Sequence, residues 1–194
     1  MRECAEGGVQ LLNNFALVTY IPEPLRSFLD ALRRELAPDC FPQAHVTILP
    51  PRPLLVSPEE AWETMRPLAE GFPSFEIAPA EVELFEASPV VYIALGAGRD
   101  ELLRLHERLN CGCLEFPEPF FYHPHITLAQ DLPRQQIEEL FPVAQRRWAK
   151  YSCKAPFRVR TVTFVQNTSN NLWVDLAECS LATPGATSGR SSRG

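Results

Sequence analysis

The chain has 194 residues, 45% of them hydrophobic, which is enough for one domain with a full core or two small lobes that share a cleft. Its formal net charge of −6 argues against a protein that coats long nucleic acid, because such proteins neutralise many phosphates with clustered Lys and Arg. No window is apolar over the length of a bilayer and the N-terminal stretch lacks the apolar run of a secretory signal. We therefore expect a cytoplasmic protein that does not bind membranes and keeps its six cysteines reduced.

The predicted elements follow one order twice along the chain. The first half predicts a strand at 15–21, a helix at 24–36, a motif strand from residue 45, a helix at 57–72 with a serine N-cap, and strands at 75–87 and 90–96. The second half predicts a helix at 99–112, a motif strand from residue 125, a helix at 132–151 that Pro142 kinks or splits, and strands at 157–168 and 171–179. The repeated order predicts an internal duplication.

We therefore predict a single domain over residues 1–181, present as a monomer. Its two lobes would form from the repeats at about 14–95 and 90–179. The segment 182–194 is small, polar and glycine-rich, which is typical of a disordered tail.

Two of the four histidines lie in the same pattern, His-x-Thr followed by an aliphatic residue. The pattern reads "HVTI" at 45–48 and "HITL" at 125–128. Because side chains alternate across a strand, His45 and Thr47 share one face, as do His125 and Thr127. The aliphatic residues between them point to the opposite face, which can be buried. A pseudo-two-fold arrangement of the repeats would bring both polar pairs together across a cleft.

The two polar pairs have the chemistry of a phosphodiester site. Two imidazoles suit a reaction that takes a proton from one oxygen and gives a proton to another, because their ordinary pKa lies near 6.5. Two threonine hydroxyls can donate hydrogen bonds to the oxygens of an anion between them. Such a site requires no metal and no cofactor. Because the repeats are equivalent in sequence, the acid and the base cannot be told apart.

The sequence resembles the two-histidine phosphoesterases, which include 2'-5' RNA ligase-like proteins and cyclic nucleotide phosphodiesterases. The resemblance is carried by both motifs, by "YHPHITLA" at 122–129 and by "TVTFVQNTSNNLWVDLAE" at 161–178, and extends from about 15 to 179. It implies a bilobal α+β fold with a pseudo-two-fold duplicated unit, in which two antiparallel sheets line a central cleft and helices lie outside.

The resemblance also implies roles for the motif residues. His45 and His125 would act as acid and base, and Thr47 and Thr127 would bind phosphate. The implied substrate is a 2',3'-cyclic phosphate, as a cyclic nucleotide or an RNA end, or a 2'-5' phosphodiester, hydrolysed or reversibly ligated in RNA processing.

Several neighbouring residues are further candidates. Tyr122 could reach a phosphate through its hydroxyl, and Arg52 is the nearest fixed positive charge after the first motif, so both are predicted to bind substrate. The aromatic run at 120–122 could stack a nucleobase or belong to the core. His106, in a charged helix, is predicted to lie at the surface.

Two other functions remain open at this point. The "HPH" stretch at 123–125 places two imidazoles on one strand face, which could hold a metal in a metal-dependent hydrolase. Against this reading, the motif strand has no carboxylate and the first motif has no matching histidine. Alternatively, the same cleft could bind a nucleotide or an RNA end without turnover.

Overall fold

The computed structural model describes residues 9–38, 43–85 and 88–183, and these ranges contain nine strands and four α-helices. The strands are β1 (Leu11–Tyr20), β2 (His45–Arg52), β3 (Phe75–Ile77), β4 (Pro79–Leu84), β5 (Val91–Leu95), β6 (His125–Ala129), β7 (Phe157–Val159), β8 (Thr161–Thr168) and β9 (Trp173–Ser180). The helices are α1 (Leu25–Leu36), α2 (Pro58–Glu70), α3 (Arg99–Leu109) and α4 (Arg134–Lys150), and a 3-10 turn covers Gly112–Leu114. The tail predicted at 182–194 lies outside the described residues from position 184 onward.

The strands form three sheets in which every paired strand is antiparallel. Their orders are β2-β1-β8-β9, β4-β5-β6 and β3-β7. Helices α2 and α3 pack against the four-stranded sheet, whereas α1 and α4 pack against the three-stranded sheet. The predicted α+β fold of antiparallel sheets and outer helices is confirmed.

The two large sheets differ from the lobes predicted at about 14–95 and 90–179. Strands β8 and β9, from the second repeat, pair with β1 from the first. Helix α1 likewise packs against β6, which lies in the other repeat. Alternation of side chains predicts a strand and its buried face but not its distant partner, so this exchange between repeats was not predictable.

Two of the predicted strands are each divided into two. The strand predicted at 75–87 becomes β3 and β4, and the strand predicted at 157–168 becomes β7 and β8. In both places the chain changes sheets, because β3 and β7 pair with each other while β4 and β8 join the larger sheets. The division therefore occurs at equivalent points of the two repeats.

The helices follow their sequence signals closely. Helix α2 begins at the predicted cap, where the Ser57 hydroxyl accepts a hydrogen bond from the backbone N–H of Glu60 at 3.2 Å. Helix α4 continues through Pro142, so the predicted kink or split does not end the helix. Within the described ranges, no helix is both long and apolar enough to cross a membrane.

One hydrophobic cluster joins the two large sheets and their helices. It includes the aliphatic residues of both motif strands, Val46 and Ile48 in β2 and Ile126 and Leu128 in β6, all fully buried. Burial of such side chains contributes about 1.5 to 3 kcal/mol each to folding. This burial fixes which face of each motif strand is left for the polar residues.

Candidate active site

The two motifs lie on neighbouring strands that belong to different sheets. Strand β2 is at one end of the four-stranded sheet, β6 is at one end of the three-stranded sheet, and the two strands contact each other. His45, Thr47, His125 and Thr127 are all partly exposed, while the aliphatic residues between them are buried. The predicted alternation is therefore confirmed in both strands.

Each motif histidine makes the same hydrogen bond to its own strand. Nδ1 of His45 lies 2.8 Å from the carbonyl oxygen of Gln43, and Nδ1 of His125 lies 2.6 Å from the carbonyl oxygen of His123. Because a carbonyl oxygen only accepts, Nδ1 carries a proton and donates it in both cases. In the neutral ring, Nε2 is then left with its lone pair. Both imidazoles are thus oriented to accept or return a proton at Nε2.

Burial lowers the pKa of both histidines, because it disfavours the charged imidazolium. The pKa of His45 falls to about 4, with the positive charges of Arg33 and His125 lowering it further and the Gln43 carbonyl and Asp30 opposing the change. Burial is also the main cause of the lowered pKa of His125. The hydrogen bond to the His123 carbonyl opposes this change, and the charge of His123 adds to it. Both rings are therefore neutral at pH 7 when no anion is bound.

A tyrosine that is bonded to a carboxylate lies opposite His45 in the neighbouring strand. Tyr20 is opposite His45 in the β1–β2 ladder, so the two side chains share a sheet face. The Tyr20 hydroxyl donates to the carboxylate of Asp175 at 2.5 Å. Burial, this hydrogen bond and the charges of Asp175 and Glu178 raise the pKa of Tyr20, which therefore keeps its proton.

The ring of His125 lies among aromatic side chains instead. Its centroid is 5.1 Å from that of Phe85 and 5.3 Å from that of Tyr92, and these two rings stack on each other. The Tyr92 hydroxyl donates to Glu83 at 2.8 Å. His123 packs on the same pair, with centroid distances of 5.1 Å to Phe85 and 5.6 Å to Tyr92. His123 is thus part of an aromatic cluster.

The metal alternative receives little support from these positions. Among the residues that the structure describes, no group of three or more His, Cys, Asp or Glu could hold a metal ion.

A cavity of about 610 Å³ lies between β3 and the start of α3, lined by residues including Phe75, Gly96 and Arg99 but by none of the motif residues.

Arg52 is placed in the interior rather than at an open surface. Only 3% of it is exposed, and its guanidinium donates to the Pro50 carbonyl at 3.0 Å and the Leu114 carbonyl at 2.9 Å. It also donates to the Asn110 side chain at 2.5 Å and forms an ion pair with Glu118. These contacts occupy both terminal nitrogens, so we give Arg52 no role in binding substrate.

Tyr122 also uses its hydroxyl inside the protein. The hydroxyl donates to the backbone carbonyl of Thr47 at 2.7 Å, and burial is the main cause that raises the pKa of this tyrosine. A phenol has one proton to donate, so Tyr122 has none left for a phosphate oxygen. Of the aromatic run, Phe120 and Phe121 are instead exposed, at 68% and 101%.

His106 is buried, and its predicted surface position is wrong. Only 7% of it is exposed, its Nδ1 lies 2.8 Å from the Ile48 carbonyl, and its ring stacks on Tyr122 at 4.0 Å. The charged neighbours on α3 suggested an exposed site, but His106 follows Leu102 and Leu105 at helical spacing. The position within the apolar stripe was the signal that could have found it.

Arg33 is a residue near the motifs that the sequence did not single out. It is 7% exposed, and Nη1 donates to the Thr127 carbonyl at 2.9 Å. Its charge also acts on His45. Like His106, it stands within a stripe of buried leucines on its helix, which was the available signal.

One family model matches most of the chain. The family model of the 2'-5' RNA ligase superfamily matches residues 21–171. Since the match covers more than half of the chain, the protein belongs to the 2'-5' RNA ligase superfamily, a group of two-histidine phosphoesterases.

Individual relatives have low sequence identity to this chain but match most of its length. A protein of Geobacillus kaustophilus (strain HTA426), provisionally named a phosphoesterase, is 26% identical over 136 residues, which span 66% of this chain and 75% of that protein. The crystal structure of E. coli LigT complexed with 3'-AMP has a TM-score of 0.58 at 18% identity, covering 87% of this chain and 98% of LigT. TT0787 of Thermus thermophilus has a TM-score of 0.55 at 18% identity, covering 86% of this chain and 97% of that chain. At these identities the structures show a common fold.

Proposed function

We propose that the protein is a metal-independent phosphoesterase that hydrolyses, or reversibly ligates, a 2',3'-cyclic phosphate or a 2'-5' RNA-end phosphodiester. His45 and His125 are the acid and base of this reaction, and Thr47 and Thr127 bind the phosphate oxygens. The observation that carries the proposal is the matched hydrogen bonding of the two histidines. Each donates from Nδ1 to a carbonyl two residues earlier, which leaves Nε2 for proton transfer.

The proposed reaction balances with two proton transfers. Nε2 of one histidine takes a proton from water as the water oxygen bonds to phosphorus. The bond from phosphorus to one ribose oxygen breaks, and the other histidine gives its Nε2 proton to that oxygen. A cyclic phosphate thus becomes a phosphate monoester. In ligation, the 5'-hydroxyl of a second RNA end replaces water as the nucleophile, and a 2'-5' phosphodiester forms. The bond from phosphorus to the ribose 3' oxygen breaks, and that oxygen takes the proton of the acid histidine.

The lowered pKa values agree with a site that binds an anion before it reacts. A phosphodiester carries one negative charge, and an opposite charge within about 4 to 6 Å favours the protonated imidazole. Substrate binding would therefore raise the pKa of the histidine that must act as acid. Hydroxyl donors from both threonines would stabilise the charge that grows on the phosphate oxygens.

The ligands of related structures support a nucleotide substrate. LigT has been crystallised with 3'-AMP, phosphate, NADP+ and ATP, and it has the same fold. We extend this nucleotide binding to the present chain as part of the proposal. The exposed Phe120 and Phe121 are candidates to stack a base, because each base offers a π-face whatever its identity. The monomeric state and the cytoplasmic location stay predictions.

A hydrolysis screen tests the proposal directly. The four 2',3'-cyclic nucleotides and a set of 2'-5'-linked dinucleotides would be incubated with the protein in excess EDTA, and the product isomers separated by chromatography. We expect turnover in EDTA and a single phosphate monoester isomer. Loss of turnover in EDTA that Zn²⁺ or Mn²⁺ restores would reject the metal-independent reaction.

Binding measurements separate catalysis from the binding-only alternative. Calorimetry with a 2',3'-cyclic nucleotide and with its monoester product would accompany the screen. Tight binding of both without any turnover would support a module that holds an RNA end but does not cleave it. Turnover by the wild type that persists in the double variant His45→Ala/His125→Ala would reject the assigned residues.

A further inference from the structure

The outer edges of β2 and β6 form what we call the seam. Each strand pairs with one neighbour in its own sheet, and the two strands adjoin without belonging to one sheet. Backbone carbonyls on such edges need partners other than a strand. At the seam the partners are side chains, and three of them bond to carbonyls of the two motif strands.

The helices that supply these side chains repeat a sequence pattern. Residues 29–36 of α1 read "LDALRREL" and residues 102–109 of α3 read "LLRLHERL". Both fit Leu-x-x-Leu-Z-x-x-Leu, where Z is Arg33 in α1 and His106 in α3. The leucines of both patterns are buried, and each Z residue is 7% exposed. Arg33 and His106 therefore occupy equivalent positions of the duplication.

Each equivalent residue reaches the motif strand of the other repeat. Helix α1 packs against β6, where Arg33 donates to the Thr127 carbonyl at 2.9 Å. Helix α3 packs against β2, where His106 donates from Nδ1 to the Ile48 carbonyl at 2.8 Å. The first motif strand is thus held by a helix of the second repeat, and the second motif strand by a helix of the first.

A second contact reinforces the hold on β2. Tyr122 stacks on His106 and donates its hydroxyl to the carbonyl of Thr47 at 2.7 Å. The other ring nitrogen of His106 lies 3.6 Å from Glu118, which is paired with the buried Arg52. The carbonyls of both motif threonines are therefore bonded by side chains that lie outside the motifs.

We propose that Arg33, His106 and Tyr122 are positioning residues that fix the separation of the two motif strands. The catalytic consequence rests on the proposed function, because it matters only where both histidines act on one phosphorus. A displacement of about 1 Å between reacting groups can cost about a hundredfold in rate. Residues that set the distance between β2 and β6 would therefore control kcat without touching substrate.

The test uses the full chain with substitutions that remove single donors. Tyr122→Phe deletes one hydroxyl, and Arg33→Met and His106→Leu delete the other two donors. Arg33→Lys and His106→Asn keep a donor near the same position and serve as conservative variants. Arg147→Met is a matched control, because it breaks an exposed ion pair with Glu35 on α1 that touches neither motif strand.

Amide hydrogen exchange gives a readout that does not depend on activity. We expect Arg33→Met to speed exchange in 125–129 but not in 45–52. Tyr122→Phe and His106→Leu should do the opposite, and Arg147→Met should change neither segment. Equal acceleration of both segments, or no change, in correctly folded variants would overturn the proposal.

Kinetics then test the catalytic consequence. We expect each donor deletion to lower kcat about tenfold to a hundredfold with a smaller change in KM, and the conservative variants to recover much of that loss. Because the charges of Arg33, His125 and Asp30 act on His45, each kcat is compared at the variant's own pH optimum. An unchanged kcat in an active enzyme would reject the positioning role. A wild type without turnover would reject the proposed function, while hydrogen exchange would still decide whether the seam holds the strands.

Discussion

The surroundings of His45 and His125 differ although the two motifs are equivalent. Both rings donate from Nδ1 to a carbonyl of their own strand. The charge of Arg33 lowers the pKa of His45 and that of Asp30 raises it. His45 also lies opposite a tyrosine that is bonded to a carboxylate. His125 instead packs against the stacked rings of Phe85 and Tyr92.

The two repeats therefore share the orientation of the histidine ring but not the charges around it. The nearby Arg33 charge disfavours a protonated His45, whereas no arginine is among the groups that lower the pKa of His125. We therefore expect His45 to be the base and His125 to be the acid in hydrolysis. The two histidines are then unequal partners, which the sequence alone could not reveal.

Removing either histidine should have the largest effect on turnover. Each general acid or base contributes about 10² to 10⁴ in rate, so His45→Ala and His125→Ala should each lose at least about a hundredfold in kcat/KM. His123→Ala is the matched control, because it removes an imidazole from the same aromatic cluster as His125 but keeps the backbone carbonyl that His125 bonds. A motif variant with the wild-type rate would contradict the two-proton reaction.

A substrate with a good leaving group should distinguish the two histidines. A p-nitrophenyl phosphodiester of a nucleoside releases an oxygen that needs no proton, so it should restore most of the activity of His125→Ala but little of that of His45→Ala. Release of p-nitrophenolate is followed by absorbance. Equal restoration of both variants would contradict the assignment of acid and base.

Replacing the motif threonines should have an intermediate effect. Thr47→Val and Thr127→Val keep the shape of the side chain and remove one hydrogen bond to a charged oxygen, worth about 1.5 to 3 kcal/mol. We expect kcat/KM to fall about tenfold to a hundredfold in each variant. Thr64→Val is the control, since its hydroxyl bonds only within α2. A loss confined to one variant would indicate that phosphate binds one motif alone.

Fold stability should depend on pH through His45. Its pKa is about 4 in the folded protein and near 6.5 when unfolded, so the unfolded chain binds more protons between these values. Stability is therefore full above about pH 6.5 and falls as the pH drops toward 4. Urea unfolding at pH 7 and pH 4.5 should show a smaller loss for His45→Gln than for the wild type. The same loss in both proteins would contradict a His45 that stays neutral in the folded protein.

Changing the aromatic surroundings of His125 should have the smallest effect. Phe85→Leu removes a ring contact worth about 0.5 to 1.5 kcal/mol and opens the histidine to water. We expect the pKa of His125 to rise toward its ordinary value and kcat to change less than about tenfold. Histidine side-chain NMR measures the pKa. A rise in the pKa of His45 instead of His125 would contradict the separate surroundings of the two rings.

The sequence predicted the motif strands because their signal is local. Alternation placed the aliphatic residues inside and the polar pairs outside, and the structure confirms this in β2 and β6. The exchange of β8 and β9 into the sheet of β1 required long-range pairing, which periodicity does not determine. Arg33 and His106 were missed for a related reason. The charged helix around His106 suggested a surface position, and Arg33 was not singled out, but both residues lie among buried leucines.

The most direct measurement follows both motif histidines while one phosphate binds. Long-range proton–nitrogen NMR spectra would be recorded during titration with a 2'-nucleoside monophosphate, the expected product of one isomer. The account predicts that the ring signals of His45 and His125 shift along a single saturation curve, and that His106 does not follow it. A shift in the ring signals of only one motif histidine, or two saturation curves with different midpoints, would contradict a phosphorus shared by the two motifs.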